Sequence, residues 1–167
     1  MDMVTINPDT VLGPLLQPTL NTSVEPIAKL VGAETFRTAT CRLADVRDVA
    51  NAHILAFENP LACGRYCVAG KPTHSCEILK ILREFYPHLN LPQKCSDEKL
   101  SMPAFQVTQE RVKSLGIKFT PLEVSLKDTV ASLMEKNLLS VNCIGLLAAQ
   151  QRIPQHGTCY FVTTMAI

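Results

Sequence analysis

The sequence predicts an α/β fold with a parallel sheet, and two observations support this prediction. Short β-branched runs alternate with segments whose apolar residues recur at helical spacing, as in successive strand–helix units. The composition of the 167 residues, 47% hydrophobic and 19% charged, is typical of a globular domain with a substantial core. Only two or three segments are convincing strands, whereas a doubly wound sheet typically carries about five or six. We therefore expect an incomplete sheet.

The first ninety residues alternate between predicted strands and helices. Residues 4–6 are β-branched and predict a buried strand, and the proline- and glycine-rich segment 7–21 predicts a loop. The elements predicted next are a helix capped by Asn21, Thr22 or Ser23 and ending near Gly32, a strand at 41–44, a helix at 46–57 capped by Asp45, a strand at 64–70, and a helix at 73–85 with Ile78, Leu79, Leu82 and Phe85 facing inward.

Two further helices are predicted before residue 136. Residues 108–115 predict a short helix that ends at Gly116. Thr120 and Glu123 form a capping-box pattern and, with Pro121 at the first helical position, predict a helix to about Lys136. Its predicted buried stripe consists of Leu122, Leu126, Val130 and Leu133.

The last part of the chain differs from the rest in charge. Arg152 is the only charged residue in 137–167, whereas residues 1–136 carry the other 30. We therefore divide the chain into a main unit at 1–136 and a divergent, low-charge tail at 137–167. An alternative exon or a read-through would explain such a break, but the simpler interpretation is a frayed or weakly packed extension. The apolar stretch 138–149 is too short to span a bilayer.

Charge and cysteine usage predict a cytoplasmic protein without a nucleic-acid or membrane partner. The net charge is +1, and the Lys and Arg residues are scattered among Asp and Glu, so no basic patch is available for nucleic acid or an acidic membrane. No secretory signal opens the chain and no apolar run approaches the roughly 18–20 residues of a membrane helix. The seven cysteines, odd in number and irregularly spaced, are then expected to be reduced thiols.

The residues alone predict no complete catalytic set and no metal site. The sequence lacks the glycine-rich phosphate loops, H-E-x-x-H and C-x-x-C. His53 lies on an apolar helix face, where a packed, hydrogen-bonded ring is the simpler interpretation, and His74 lies where it would cap a helix. Asp45 and Asp48 would suit acid–base chemistry, but their place at a helix start favours capping.

Four stretches resemble one plant family. "INPDTVLGPLLQPTLNTS" at 6–23 and "ADVRDVANAHILAFENPLACGRYCVAG" at 44–70 form the most specific combination. "SCEILKILREFYPHLNLPQKC" and "KSLGIKFTPLEVSLKDTVASLMEK" follow in the same order. Together they resemble the extended short-chain dehydrogenase/reductase group that contains cinnamoyl-CoA reductase, dihydroflavonol reductase, phenylacetaldehyde reductase and cinnamyl-alcohol-dehydrogenase-like proteins. The resemblance covers residues 2–136.

The resemblance implies an incomplete Rossmann-like fold. It places the strand that ends at Asn7-Pro8 late in a doubly wound parallel sheet, so the chain would hold the carboxyl-terminal part of that sheet and the small substrate-binding lobe. The family's glycine-rich loop and catalytic Tyr-x-x-x-Lys would lie upstream of Met1. None of Tyr66, Tyr86 and Tyr160 has the sequence context of that catalytic tyrosine.

The resemblance also implies site residues. Pro8, Asp9, Thr10 and Val11 would hold the nicotinamide end of NADP, and the hydroxyl group of Ser23 would lie near the cofactor. The stretch Leu15-Leu16-Gln17 would border the substrate pocket. Asp45, Arg47 and Asp48 would be structural, and no residue of this chain would be catalytic.

The implied function is that of a truncated NADP-dependent reductase. The parent would transfer a hydride to a phenylpropanoid-type aldehyde, ketone or CoA thioester, a small aromatic carbonyl substrate. Since the chain lacks the family's binding site for adenosine and pyrophosphate, we expect it to bind NADP poorly and to be inactive alone. The alternatives are a non-catalytic interaction or regulatory fragment that associates through exposed sheet edges, and a pseudogene product.

Overall fold

The computed structural model describes residues 3–95 and 107–139, together with the backbone of 163–166. Tyr160, Arg152 and most of the predicted tail lie outside the described residues. In chain order the elements are β1 (Met3–Pro8), β2 (Thr10–Leu12), α1 (Glu25–Leu30), β3 (Thr35–Phe36), β4 (Thr40–Asp45), α2 (Val46–Glu58), β5 (Gly64–Val68), β6 (Pro72–His74), α3 (Ser75–Phe85), β7 (Lys94–Cys95), α4 (Glu110–Lys113), α5 (Leu122–Glu135) and β8 (Thr163–Ala166).

The fold is α/β, as predicted, and its longest sheet contains a parallel pair. β1 and β5 run parallel with Val4 beside Gly64, and β8 pairs antiparallel with the other edge of β1. A second sheet has the order β2-β4-β6, in which β2 and β4 are parallel and β4 and β6 antiparallel. β3 and β7 form a parallel pair. The structure therefore describes more strands than the sequence predicted. Several of them have only two or three residues, which is too short for a recognisable sequence pattern.

One hydrophobic cluster lies between the first sheet and the segments packed on it. Val4 and Ile6 of β1 alternate inward with Tyr66 and Val68 of β5, as the two-residue period of a strand requires. α2 and α4 cover this face. The buried members are Val4, Ile6, Ala44, Ala52, Ala56, Ala62, Tyr66, Val68, Val112, Leu115 and Ile117.

A second cluster joins β2 to helices α1, α3 and α5. Leu126, Val130 and Leu133 lie on the buried face of α5, as the helical spacing predicted, whereas Leu122 is only partly buried. The buried members are Leu12, Leu15, Val24, Ile27, Phe36, Ile78, Leu79, Ile81, Leu82, Leu91, Leu126, Val130 and Leu133. The loop between β2 and α1 is thereby anchored in the core.

The prediction of an uninterrupted loop at 7–21 was wrong, since β2 lies inside it. β2 exists because Thr10, Val11 and Leu12 pair with Leu43, Ala44 and Asp45 of β4. The two strands are some thirty residues apart in the sequence. Local turn propensity therefore carries no information about this pairing.

Two predictions about helix faces and caps were also wrong. Phe85 is 41% exposed at the end of α3, where it lies under the ammonium group of Lys127 rather than in the core. Thr120 does not cap α5, because its hydroxyl group donates to Oδ1 of Asp48 at 2.8 Å. In both cases a contact between elements decides the outcome.

α2 buries small residues rather than its most apolar face. Ala52 and Ala56 are 0% and 3% exposed against the sheet, whereas Ile54 is 53% exposed and Phe57 is 69% exposed. The small side chains let the helix axis approach β1 and β5 closely. No helix in the described part of the chain is long and apolar enough to cross a bilayer.

Candidate functional site

The segment predicted to hold the nicotinamide forms the turn between β1 and β2. Pro8 is the last residue of β1, and the N–H group of Asp9 donates to the carbonyl oxygen of Val68 at 3.1 Å. Oδ1 of Asp9 accepts from the N–H group of Thr10 at 2.8 Å. Thr10 and Val11 then enter β2. All four predicted residues are partly exposed and contiguous at one end of the first sheet.

Asp9 also has a cationic neighbour. Its Oδ2 atom lies 3.8 Å from Nη1 of Arg42 on β4. Asp9 thus ties the turn both to the backbone of β5 and to the side chain of Arg42. Arg42 reaches this turn through the register of β2 on β4, in which Thr10 pairs with Leu43. Sequence spacing alone could not have predicted this contact.

Ser23 lies in the turn that precedes α1. Its hydroxyl group donates to Oδ1 of Asn21 at 3.1 Å, and the same oxygen accepts from the N–H group of Val24 at 2.9 Å. Asn21, one of the three predicted caps, is therefore the residue whose side chain caps this turn. Ser23 as a whole is partly exposed.

The predicted substrate residues lie in the loop 13–17, and their environments differ. Leu15 is 6% exposed and packs in the second core cluster, whereas Leu16 is 91% exposed. Gln17 is exposed, and its Nε2 atom donates to the carbonyl oxygen of Thr19 at 3.0 Å. The loop therefore buries one leucine and presents the other to solvent.

Two hydroxyl groups of α5 bind the backbone of this loop. The N–H group of Gly13 donates to Oγ1 of Thr129 at 2.7 Å, and that of Leu15 donates to Oγ of Ser132 at 2.9 Å. Sequence reasoning missed both residues. Their signal was present nonetheless, because Ser125, Thr129 and Ser132 recur at helical spacing beside the apolar stripe of α5.

A separate cavity of about 590 Å³ lies beside the start of α5. None of the residues predicted to bind cofactor or substrate lines it. Its lining combines buried groups with a charged rim: Leu43, Ala44, Asp45, Asp48, Gly70, Lys71, Pro72, Thr73, Glu77, Gln109, Lys113, Ile117, Lys118, Phe119, Thr120, Pro121, Leu122, Glu123 and Ser125.

Asp45 in the cavity wall is a buried anion at the junction of β4, α2 and α5. It caps α2 as predicted, accepting from the N–H group of Arg47 at 2.8 Å, and both carboxylate oxygens accept from the guanidinium group of Arg47. The Ser125 hydroxyl donates to Oδ2 at 2.6 Å. Burial acts to raise the pKa of Asp45, but the hydrogen bonds from Arg47 and Ser125 outweigh it and lower the pKa.

Both carboxylate oxygens of Asp48 are also hydrogen-bonded. Its two oxygens accept from the N–H and hydroxyl groups of Thr120, at 2.9 and 2.8 Å. Asp45 and Asp48 are both 2% exposed, and each joins α2 to the start of α5. Their contacts make them structural carboxylates, which agrees with the prediction from the sequence.

Two of the described histidines make structural contacts, and two of the described cysteines are partly buried. Nδ1 of His53 lies 2.8 Å from the carbonyl oxygen of Val49, and Nδ1 of His74 accepts from the N–H group of Cys76, so both histidine interpretations are confirmed. Burial and the charge of Asp9 raise the pKa of Cys41 and Cys67, although Arg42 opposes this at Cys67. Among the described residues no group of three or more His, Cys, Asp and Glu side chains could hold a metal ion.

Comparison with known proteins identifies relatives of this chain. No family model matches it. It is 54% identical over 142 residues to cinnamoyl-CoA reductase CAD2 of Medicago truncatula, an alignment that covers 84% of this chain and 44% of that protein. It is 43% identical over 156 residues to cinnamoyl-CoA reductase 1 of Arabidopsis thaliana, covering 92% of this chain and 45% of the relative. That second alignment extends into the segment predicted to diverge.

Solved structures show the same fold. The crystal structure of Gre2 from Candida albicans has a TM-score of 0.67 at 30% identity, covering 81% of this chain and 45% of that protein. Vestitone reductase from alfalfa (Medicago sativa) has a TM-score of 0.66 at 24% identity, covering 77% and 43%. The chain thus spans a little under half the length of the relatives it matches. Its homologues include plant cinnamoyl-CoA reductases, as the resemblance implied.

Proposed function

We propose that this homologue of plant cinnamoyl-CoA reductases is the carboxyl-terminal part of an NADP(H)-dependent reductase. The parent reaction would be hydride transfer from NADPH to the carbonyl carbon of a phenylpropanoid-type aldehyde, ketone or CoA thioester. The observation that carries the proposal is the 54% identity over 142 residues to the Medicago reductase. A Gre2 protein from the same fold group was crystallised with NADPH, which supports the cofactor class.

Under this proposal, the turn between β1 and β2 would hold the nicotinamide end of that cofactor. Its backbone is fixed by Pro8 and by the hydrogen bonds of Asp9, so it can present polar atoms to a carboxamide without reorganising. The N–H groups of Asp9 and Thr10 already donate to protein oxygens. The carboxamide would therefore bind to backbone carbonyl oxygens or to the Thr10 hydroxyl group. The bound NADPH would supply the hydride.

The tyrosines that the structure describes do not fit the role of general acid. Tyr66 is 5% exposed, and the guanidinium carbon of Arg111 lies 5.2 Å from the centroid of its ring. The Tyr86 hydroxyl donates to the carbonyl oxygen of Lys127 at 2.8 Å, and burial together with Asp128 raises its pKa. Since a carbonyl reduction needs a proton donor at the oxygen, we propose that this chain alone does not turn over substrate.

A chimera tests the proposal. The upstream part of the Medicago reductase would be joined to this chain at β1, and NADPH oxidation would be followed with cinnamoyl-CoA, cinnamaldehyde and phenylacetaldehyde. We expect activity in the chimera and none above blank in the isolated chain. A matched chimera whose catalytic tyrosine is replaced by phenylalanine serves as the control and should be inactive. A folded chimera that binds NADPH but reduces none of these carbonyl compounds would contradict the proposal.

A non-catalytic role is the second candidate, and one observation favours it. Among the strands that the structure describes, β5 lies at the edge of its three-stranded sheet, and strand edges recruit further strands. Under this alternative the chain would associate through that edge with a full-length relative. Co-expression with the Medicago reductase discriminates between the two functions. An unchanged oligomer size and an unchanged rate would eliminate the regulatory role.

A further inference from the structure

We propose that β8 is an internal cap on the edge of β1 opposite β5, and that the same edge binds a second copy of this chain, strand to strand, when β8 is displaced. β1 is the middle strand in the order β5-β1-β8, and β8 is antiparallel to it. The covered edge is thus a latent interaction surface. This role is independent of the proposed reductase function.

The first support is that β1 has the burial of a central strand. Val4, Thr5 and Ile6 are consecutive, and they are only 5%, 6% and 2% exposed. Because successive side chains of a strand point to opposite faces, both faces of the sheet are covered at β1. Backbone N–H and C=O groups in such a place need protein partners rather than water. β1 therefore requires a hydrogen-bonded neighbour at each of its edges.

The second support is that the two neighbours of β1 are unequal. β5 runs parallel to residues 4–8 and is anchored in the first core cluster through Tyr66 and Val68. β8 has four residues and pairs with residues 3–6. A short strand contributes fewer ladder hydrogen bonds than a long one. β8 is therefore the neighbour that another strand can replace.

The third support is the direction of the pairing, which selects the partner. β8 shows that this edge of β1 accepts an antiparallel strand. Two copies of β1 related by a two-fold axis perpendicular to the sheet are antiparallel by symmetry, so each can take the place of the other's β8. In the register that places residue 5 of the two copies opposite each other, Val4 lies opposite Ile6 of the second copy. Pairs of β-branched residues across antiparallel strands are stabilising.

Mass action keeps the cap in place in the intact chain. β8 and β1 belong to one molecule, so their pairing is intramolecular and acts at an effective concentration on the order of millimolar. A second copy at micromolar concentration does not compete with it. We therefore expect a monomer, in which the β1 edge becomes available only when β8 is altered or outcompeted.

Proline substitutions in the full chain test the cap. Alternate N–H groups of a strand face the same neighbour, so one of Thr164→Pro and Met165→Pro must remove a ladder hydrogen bond to β1. Sedimentation equilibrium should show a monomeric wild-type chain and, for that variant, at least half dimer at about 100 µM. Thr164→Val keeps the N–H group and a β-branched side chain, so this control should remain monomeric. Two monomeric proline variants, or a dimeric wild-type chain, would overturn the proposal.

Amide hydrogen exchange locates the affected edge and shows whether the variant is folded. In the disrupting variant, kept dilute enough to be monomeric, the amides of residues 3–6 that face β8 should exchange about tenfold or more faster than in the wild-type chain. The amides that face β5 should keep their protection. A measurement on the wild-type chain alone is also decisive, because unprotected amides throughout residues 163–166 would eliminate the cap.

A peptide identifies the surface used by the dimer. The peptide YFVTTMAI, residues 160–167, should return the dimeric variant to a monomer when added in excess, because it reoccupies the β1 edge from outside. The same peptide with proline in place of both Thr164 and Met165 is the control and should have no effect. A dimer that persists in saturating native peptide would use another surface, such as the β5 edge, and would refute the assignment of the β1 edge.

Discussion

Asp45 shows how much of this molecule depends on single polar residues. Its carboxylate caps α2, binds Arg47 through both oxygens and accepts from Ser125 of α5, while remaining 2% exposed. A charge in such a place is stable only when its hydrogen bonds replace the lost water. Three elements therefore meet at one side chain.

Asp45→Asn should lower the free energy of unfolding at pH 7 by about 3 kcal/mol, because Arg47 and Ser125 then lose an anionic partner. The pKa of Asp45 is lower in the folded state than in the unfolded state. Its contribution is therefore fully present above the unfolded pKa, near 4, and is lost as pH falls through the folded pKa. Urea denaturation at pH 7 and at successively lower pH should show the difference between the two proteins shrinking.

The control for this experiment is Asp128→Asn. That carboxylate contacts the same Arg47 side chain at the surface, where an ion pair is worth about 0–1 kcal/mol. If the two variants are equally stable at pH 7, the buried network does not have the role assigned to it.

Cysteine reactivity should follow burial and local charge. Cys63 and Cys76 are exposed, whereas Cys41 and Cys67 are partly buried and have a raised pKa. Since the thiolate is the reactive form, iodoacetamide at neutral pH should label the first pair at least about tenfold faster than the second. Peptide mass spectrometry of the native chain measures these rates. Equal rates in the native chain, with urea-unfolded chain as the reference, would contradict the described environments.

At the scale of elements, α2 shows where sequence patterning succeeds and where it fails. Its start, its cap and its length follow from Asp45, helical spacing and Pro60. Its buried face does not, because the sequence is most apolar around Ile54 and Phe57 and the sheet instead receives Ala52 and Ala56. Hydrophobic periodicity records which residues are apolar, whereas burial here is decided by how closely the helix approaches the sheet.

Ala52→Leu should therefore destabilise the chain by about 1–3 kcal/mol through overpacking, since Ala52 is 0% exposed. Phe57→Ser, at 69% exposure, should change stability by no more than about 0.5 kcal/mol. Thermal or urea unfolding of the two variants measures both effects. A larger loss in Phe57→Ser than in Ala52→Leu would mean that the helix is turned the other way.

The short strands mark the other limit of prediction. β1 is predictable because it contains a β-branched run, and segments matching β4 and β5 were also predicted from the sequence. β2 and β6 have only three residues each and exist through their pairing with β4. The same limit applies to the candidate site, because some of its contacts depend on how distant segments pair. Pro8, Asp9, Thr10 and Val11 could be named from the resemblance, but Arg42, Thr129 and Ser132 reach the site only through tertiary contacts.

At the scale of the whole molecule, the two core clusters divide the described residues between a sheet-centred part and a helical part. β4 connects them, since it pairs with β2 on one side and continues into α2 on the other. The proposed cofactor turn and the predicted substrate loop lie on either side of β2, where the two parts meet. The chain spans about 44% of the Medicago reductase, so the proposed function requires the remainder of such a protein.

Cofactor binding should reveal that requirement. We expect 1 mM NADPH to leave the Tm of this chain unchanged, and to raise that of the chimera by several degrees, because only a ligand that binds the folded state shifts unfolding. Differential scanning fluorimetry with NADPH, and with NADH as a comparison, measures the shift. A clear rise in the Tm of the isolated chain would show that the turn between β1 and β2 suffices for binding.

The contact between Gly13 and Thr129 also has a consequence for synthesis. Its partners are 116 residues apart in the chain, so a ribosome that adds about 5–20 residues per second makes the loop on the order of ten seconds before the helix that holds it. Throughout that interval Leu15 and Leu16 are both available to chaperones. The loop is therefore translated well before the helix that fixes it, and it becomes fixed only when that helix has been made.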